Sequence, residues 1–271
     1  MNTINKNSCK TVKLTKGEVS VYDFGNVKLH AYKTDDYLSD EVFIIEKAGR
    51  SVIIESPCFY DNEKALEDYV NEAKLNVAAM LIAYHAAGGS FLKAHSQIKK
   101  YATENAEKYG EEGGGKALIN GFTAAFGDVF DKETHKITDY LKAGKNEIAG
   151  IEFVVISNGE AYTIEIPEIN AVYTHMLGHD CHSIVVGAGC ADCIISELNG
   201  YIQKGVSLIL TSHYTPEDLK DAQTKIDYIA DVKKIAAESK NIEEFKEKVN
   251  KKYPNYSGLN YLDITANAFF A

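Results

Sequence analysis

The stretch Val77-Ala78-Ala79-Met80-Leu81-Ile82-Ala83-Tyr84-His85-Ala86-Ala87-Gly88-Gly89-Ser90 decides the fold. An apolar run stops at an imidazole, two small residues and two glycines. That pattern predicts a buried strand followed by a sharp turn. The turn holds His85 at the carboxyl end of the strand, the edge where open α/β sheets bind ligands. One histidine at a strand end is more often a hydrogen-bonded structural residue than a ligand, so a site requires other groups to converge on it.

Upstream, Val42-Phe43-Ile44-Ile45, the turn Lys47-Ala48-Gly49 and Ser51-Val52-Ile53-Ile54-Glu55 read as a hairpin with a deeply buried second arm. Glu55 ends that arm, within reach of the next strand end. Asp61-Asn62 is expected to cap a helix with Ala65, Leu66, Tyr69, Val70 and Ala73 on one side. Strand, helix, strand is a crossover unit, so the two strands should be parallel, with Glu55 and His85 at one sheet edge. Residues 11–33 alternate in strand fashion, with Lys28 and His30 opposite Val27, Leu29 and Ala31, so His30 is expected at the surface.

Downstream, Phe91 to Lys100 has the spacing of a helix. Glu111 to Gly115 reads as a flexible turn. It lacks the Lys-Ser/Thr pair of a phosphate loop. His135 lies in a charged run and is expected to be exposed. Strands follow at Ile151 to Ile156, Ala161 to Ile166 and Asn170 to Thr174, then the polar cluster His175-Met176-Leu177-Gly178-His179-Asp180-Cys181-His182. Ser183 to Val186 reads as a further strand, and Cys190 to Lys204 as a helix ending at Gly205. Val206 to Leu210 is another buried strand, ending in Thr211-Ser212-His213-Tyr214. Thr215-Pro216 is expected to cap the next helix, Asn241 with Glu244 the one after. Leu259 to Ala271 forms a last short element.

The chain has 271 residues and a formal net charge of -10, from 39 acidic and 29 basic side chains. That balance argues against nucleic acid or an anionic membrane as a partner, since both need a basic face. No apolar run reaches membrane-spanning length, and residues 1–10 read as a polar tail without the shape of an export signal. Five cysteines, an odd number, fit reduced thiols in the cytoplasm better than a disulfide framework. Cys190-Ala191-Asp192-Cys193 has redox or metal-pair spacing, but one such pair on a helix reads as packing. No linker is visible, so residues 1–271 are expected to form one domain of two similar α/β halves. A small-molecule ligand is the expected partner, and a homo-oligomer is left open.

In element order, residues 20–240 resemble the metallo-β-lactamase superfamily. In that family a hairpin ends in an Asp-containing segment, a helix follows, and the next strand ends in T-H-x-H-x-D-H-x-G-G. Ser51-Val52-Ile53-Ile54-Glu55-Ser56-Pro57 is similar to the first place, with Glu for Asp, and Met80 to Gly89 to the second. Ala171 to Asp180 resembles the strand that carries the bridging ligand, and Thr211-Ser212-His213-Tyr214-Thr215-Pro216 the segment of the last histidine. The resemblance implies an α/β fold of the αββα sandwich type, two mixed sheets flanked by helices. The chain departs from the motif. With His85 as the first histidine, Ala87, Gly89 and Ser90 fill later positions; with the glycines aligned, His85 falls on the Asp and Ala86 on a His. Near Ser157-Asn158-Gly159, where a further histidine is expected, there is none.

What the resemblance implies is metal-assisted hydrolysis of an unspecified substrate, with zinc or another divalent ion on His85, Asp180 and His213. His175, His179 or His182 would replace a lost ligand, with His179 the added metal candidate. Glu55 and Asp180 are the catalytic candidates, Glu55 by orienting His85. The alternative is a metal-free, non-catalytic relative that binds a ligand or partner in the same strand-end cavity. Metal-free acid–base chemistry by a His and a carboxylate is a third.

Overall fold

A computed structural model describes residues 6–271. The expected tail lies partly outside the described residues, and a strand already begins at Cys9. The chain forms two compact units, Met1–His175 with Leu210–Pro216, and Met176–Ile209 with Glu217–Ala271. The fold class is α/β, with two mixed sheets flanked by helices, as expected.

In the first unit, β1 (Cys9–Lys13), β2 (Glu18–Asp23), β3 (Val27–Lys33), β4 (Glu41–Lys47) and β5 (Arg50–Ile54) pair antiparallel in chain order. Val42 to Ile45 and Val52 to Ile54 are all fully buried. Strands covered on both faces read as continuous apolar runs rather than alternation. The crossover α1 (Tyr60–Glu72) then leads to β6 (Val77–Leu81), parallel to β5 with Ile54 opposite Leu81. This register brings Glu55 and the His85 segment to one edge. β7 (Lys99–Ala102) and β8 (Asp139–Tyr140) complete the eight strands, with α2 (Glu104–Glu111) and α3 (Gly114–Phe126) between them.

The second sheet is a meander of β9 (Gly144–Ile148), β10 (Ile151–Ser157), β11 (Tyr162–Ile166) and β12 (Ala171–Thr174), continued by β13 (Leu208–Thr211) and β14 (Tyr214–Glu217). The two sheets meet within the first unit. Phe43 and Tyr173 pack edge to face at 6.1 Å, and the Tyr162 hydroxyl donates to the Ile82 carbonyl at 2.8 Å. The second unit holds α4 (Ala188–Lys204), α5 (Leu219–Ala237), α6 (Ile242–Lys252) and α7 (Leu259–Phe270) around Ala191, Tyr228, Ile229, Val232, Phe245 and Leu262.

Several local expectations are corrected. Phe91 to Lys100 is a run of turns leading into β7, because Leu92 takes φ 52° and breaks helical continuity. Phe59, not Asp61-Asn62, caps α1; the Asn62 amide instead donates to the Tyr32 hydroxyl and the Thr34 carbonyl. Glu111 to Gly115 is not a free turn but the junction of α2 and α3. Thr215-Pro216 lies in β14. The cap of α5 is Asp218, whose reciprocal bonds with Asp221 satisfy two helix-end donors. Ser183 to Val186 pairs with no strand; the Val185 amide donates to Thr265 Oγ1. Neither His30 nor His135 is at the surface. His30 Nδ1 lies 2.6 Å from the Tyr69 hydroxyl, and His135 sits between Ser56 Oγ at 2.7 Å and Lys100 Nζ at 2.9 Å.

Candidate metal centre

His85 follows β6, His175 follows β12 directly, and His213 occupies the turn between β13 and β14. Three strand ends thus deliver three imidazoles to one place, where one ligand atom from each lies within 4.8 Å of the others. The His213 and His175 Nε2 atoms are 3.2 Å apart. Two nitrogens about 2.0 Å from one tetrahedral ion would be about 3.3 Å apart. His175 also stacks on Tyr84, centroids 4.3 Å apart at 21°.

A buried chain of polar groups roots these segments. Glu55 is fully buried, and its carboxylate accepts the backbone N–H groups of Ala83, Tyr84 and His85 at 3.2, 2.8 and 3.2 Å. The Tyr173 hydroxyl donates to Glu55 at 2.5 Å, leaving Ser212 Oγ to donate to Tyr173 at 2.9 Å. Glu55 therefore holds the His85 segment through its backbone rather than through the imidazole.

The carboxylate at the imidazoles is Asp40, which sequence reasoning missed. Thr34 Oγ1 donates to the Asp40 carbonyl, and Asp36 accepts from the Leu38 and Asp40 amides, so the β3–β4 turn drives Asp40 inward. Asp40 Oδ1 lies 3.1 Å from His213 Nδ1 and 3.8 Å from His85 Nδ1. The His213 N–H is better aimed at the Leu38 carbonyl, 3.2 Å away. Asp40 Oδ1 and His85 Nδ1 are therefore buried without an aligned hydrogen bond.

Burial pushes the Asp40 pKa up, but His85 and His213 more than reverse this, and it falls to about 2. Burial pushes His213 down, but the close approach of Asp40 and the Leu38 carbonyl outweighs it, and its pKa rises. His175 is exposed on one side; crowding by its neighbours and repulsion from His213 and His85 lower its pKa below the ordinary imidazole range. Three imidazoles, one supporting carboxylate and two orphaned polar atoms suit a divalent ion.

The remaining candidates belong to the second unit. Asp180 belongs to neither histidine cluster among the described residues. Its side chain is exposed and its carbonyl accepts from the Ser257 amide. His179 joins Glu217 and Asp221 in the second unit, with Nδ1 at 2.8 and 3.6 Å from their carboxylates. His182 is fully buried against Tyr228, whose hydroxyl is 2.9 Å from Nδ1.

No protein-family model matches the chain, and no curated protein matches it. Solved structures do. A metallo-beta-lactamase family protein from Thermus thermophilus is 14% identical over 90% of this chain and 91% of its own, with a TM-score of 0.60. A stereoselective inverting sec-alkylsulfatase from Pseudomonas sp. is 13% identical over 94% of this chain and 50% of its own, at 0.61. A metallo-beta-lactamase from Erythrobacter litoralis is 11% identical over 82% of this chain and 100% of its own, at 0.54. The chain carries the metallo-β-lactamase fold, the family the sequence resembles.

Proposed function

We propose that the chain is a divergent metal-dependent hydrolase of the metallo-β-lactamase superfamily, holding one divalent ion, zinc by donor type, on His85, His175 and His213. The observation that carries this reading is the 3.2 Å approach of two Nε2 atoms beside a third imidazole, from three strand ends. Such an ion supplies Lewis acidity, polarising the scissile bond and acidifying water near neutral pH. The chain's own residues do the rest. His175 brings its Nε2 to 3.2 Å from that of His213, and Glu55 fixes the backbone that carries His85. Asp40 faces the Nδ1 side of His85 and His213, leaving their Nε2 atoms for the ion.

The net charge of -10 favours a small-molecule substrate over nucleic acid. All five cysteines are free thiols, which supports the cytoplasmic reading. Among the described residues no helix is long and apolar enough to cross a membrane. A second reading, a metal-free ligand-binding relative, is favoured by Ala83 and Ala86, which stand where the family's motif holds histidines once the glycines are aligned.

The test is elemental analysis of protein purified without chelators, followed by zinc titration and assay with uncharged ester probes. The expected result is one equivalent of zinc and zinc-dependent turnover. Less than about one-tenth of an equivalent, unchanged after adding zinc, would overturn it in favour of the second reading.

A further inference from the structure

We propose that Asp40 is a positioning residue that anchors two imidazoles, His85 and His213, with one oxygen. The inference rests on the metal-site reading above, and adds what sets the two rings before any ion arrives. Asp40 is 2% exposed, and the imidazoles that face it are those of His85 and His213. A buried carboxylate needs donors to stay ionised. Its Oδ2 takes the Cys58 thiol at 3.3 Å. Its Oδ1 faces His213 Nδ1 at 3.1 Å and His85 Nδ1 at 3.8 Å.

Asp40 Oδ1 faces both Nδ1 atoms and the Leu38 carbonyl adds a second acceptor at His213, so the same tautomer is selected in both rings: N–H at Nδ1, lone pair at Nε2. The ring nitrogen that an ion takes is set by the bond the other nitrogen makes. Both orphaned atoms, Asp40 Oδ1 and His85 Nδ1, are then halves of one interaction. The carboxylate supports the rings from behind and is not itself a ligand.

Nitrogen-15 NMR of the metal-free protein at about pH 9, above the ordinary imidazole range, reads the tautomers directly. The expected result is Nδ1–H for both His85 and His213 in the wild type, and loss of that preference in at least one ring of Asp40→Asn. Zinc titration gives the second readout. Asp40→Asn should raise the zinc Kd by about 10–100-fold at unchanged stoichiometry, and Asp40→Glu should recover part of the loss. Nε2–H rings in the wild type, or a zinc Kd within about threefold of wild type in folded Asp40→Asn, would overturn the proposal. The expected tautomers in a wild type that takes no zinc would support Asp40 as the anchor and overturn the metal reading alone. The wild-type His85 ring, which among the described residues has no acceptor at Nδ1 but Asp40, needs no variant, so a misfolded Asp40→Asn leaves the question decided.

Discussion

Among the described residues, two groups of three side chains could hold a metal ion, and they differ in what they leave unsatisfied. Around His85, His175 and His213 the imidazoles outnumber the nearby carboxylate, and two buried polar atoms lack an aligned partner. Around His179 the ratio is reversed: one imidazole meets Glu217 and Asp221. Its Nδ1 and its backbone amide both lie 2.8 Å from Glu217 Oε1. Asp221 also accepts the Asp218 amide at 2.9 Å in the capping box of α5. Nearby, buried Lys225 donates to the Gly178 and Cys181 carbonyls, its pKa lowered to about 8 by burial. Those bonds tie a loop to a helix start. Composition alone would rank the two clusters together; unsatisfied donors and acceptors separate a site from a brace.

The largest effect should come from removing an imidazole of the first cluster. His213→Ala should raise the zinc Kd at least about a hundredfold by competition titration, while His179→Ala leaves it within about threefold. The reverse pattern would exchange the roles of the clusters. Next, Glu55→Gln removes the charge that holds three amides and a hydroxyl, and should cost about 2 kcal/mol in urea unfolding. An unchanged midpoint would show the His85 segment to be held by other means. Asp218→Ala deletes a helix cap in the bracing cluster and should cost about 1 kcal/mol, with zinc binding unaffected.

The smallest effect is a pH dependence. Bonding to Glu217 outweighs burial and raises the His179 pKa. A raised folded-state pKa stabilises fully below the unfolded value of about 6.5, and that stability is lost as pH rises through the folded value. His179→Gln should therefore destabilise by up to about 1 kcal/mol near pH 5.5 and by less at pH 9. A larger loss at the higher pH would mean that His179 is neutral in the folded protein.

The strand ends carrying Glu55, His85 and His213 were legible, because each closes an apolar run and a break in polarity along the chain is a local signal. Which histidine of His175, His179 and His182 joins them was not. All three lie within eight residues, and the choice turns on β12 ending at Thr174. Asp40 gave no signal among Asp35, Asp36 and Asp40. Its burial comes from the Asp36-built turn and from the bond of the next amide, Glu41, to the Ser212 carbonyl. His30 and His135 depart from expectation for the same reason, since their partners Tyr69 and Ser56 lie 39 and 79 positions away in the chain.

The glycine pair that marked the opening stretch has its own consequence. Gly88 takes φ 86°, and a Cβ there would stand 2.1 Å from the Pro57 carbonyl oxygen; at Gly89 it would stand 2.6 Å from that of Thr134. Main chain touches main chain where a substituent would go, so this seat is cut for bare backbone. The turn three residues past His85 is therefore fixed by main-chain contact, without help from any imidazole. A side chain at either glycine would have to push two stretches of main chain apart before it reached any donor group.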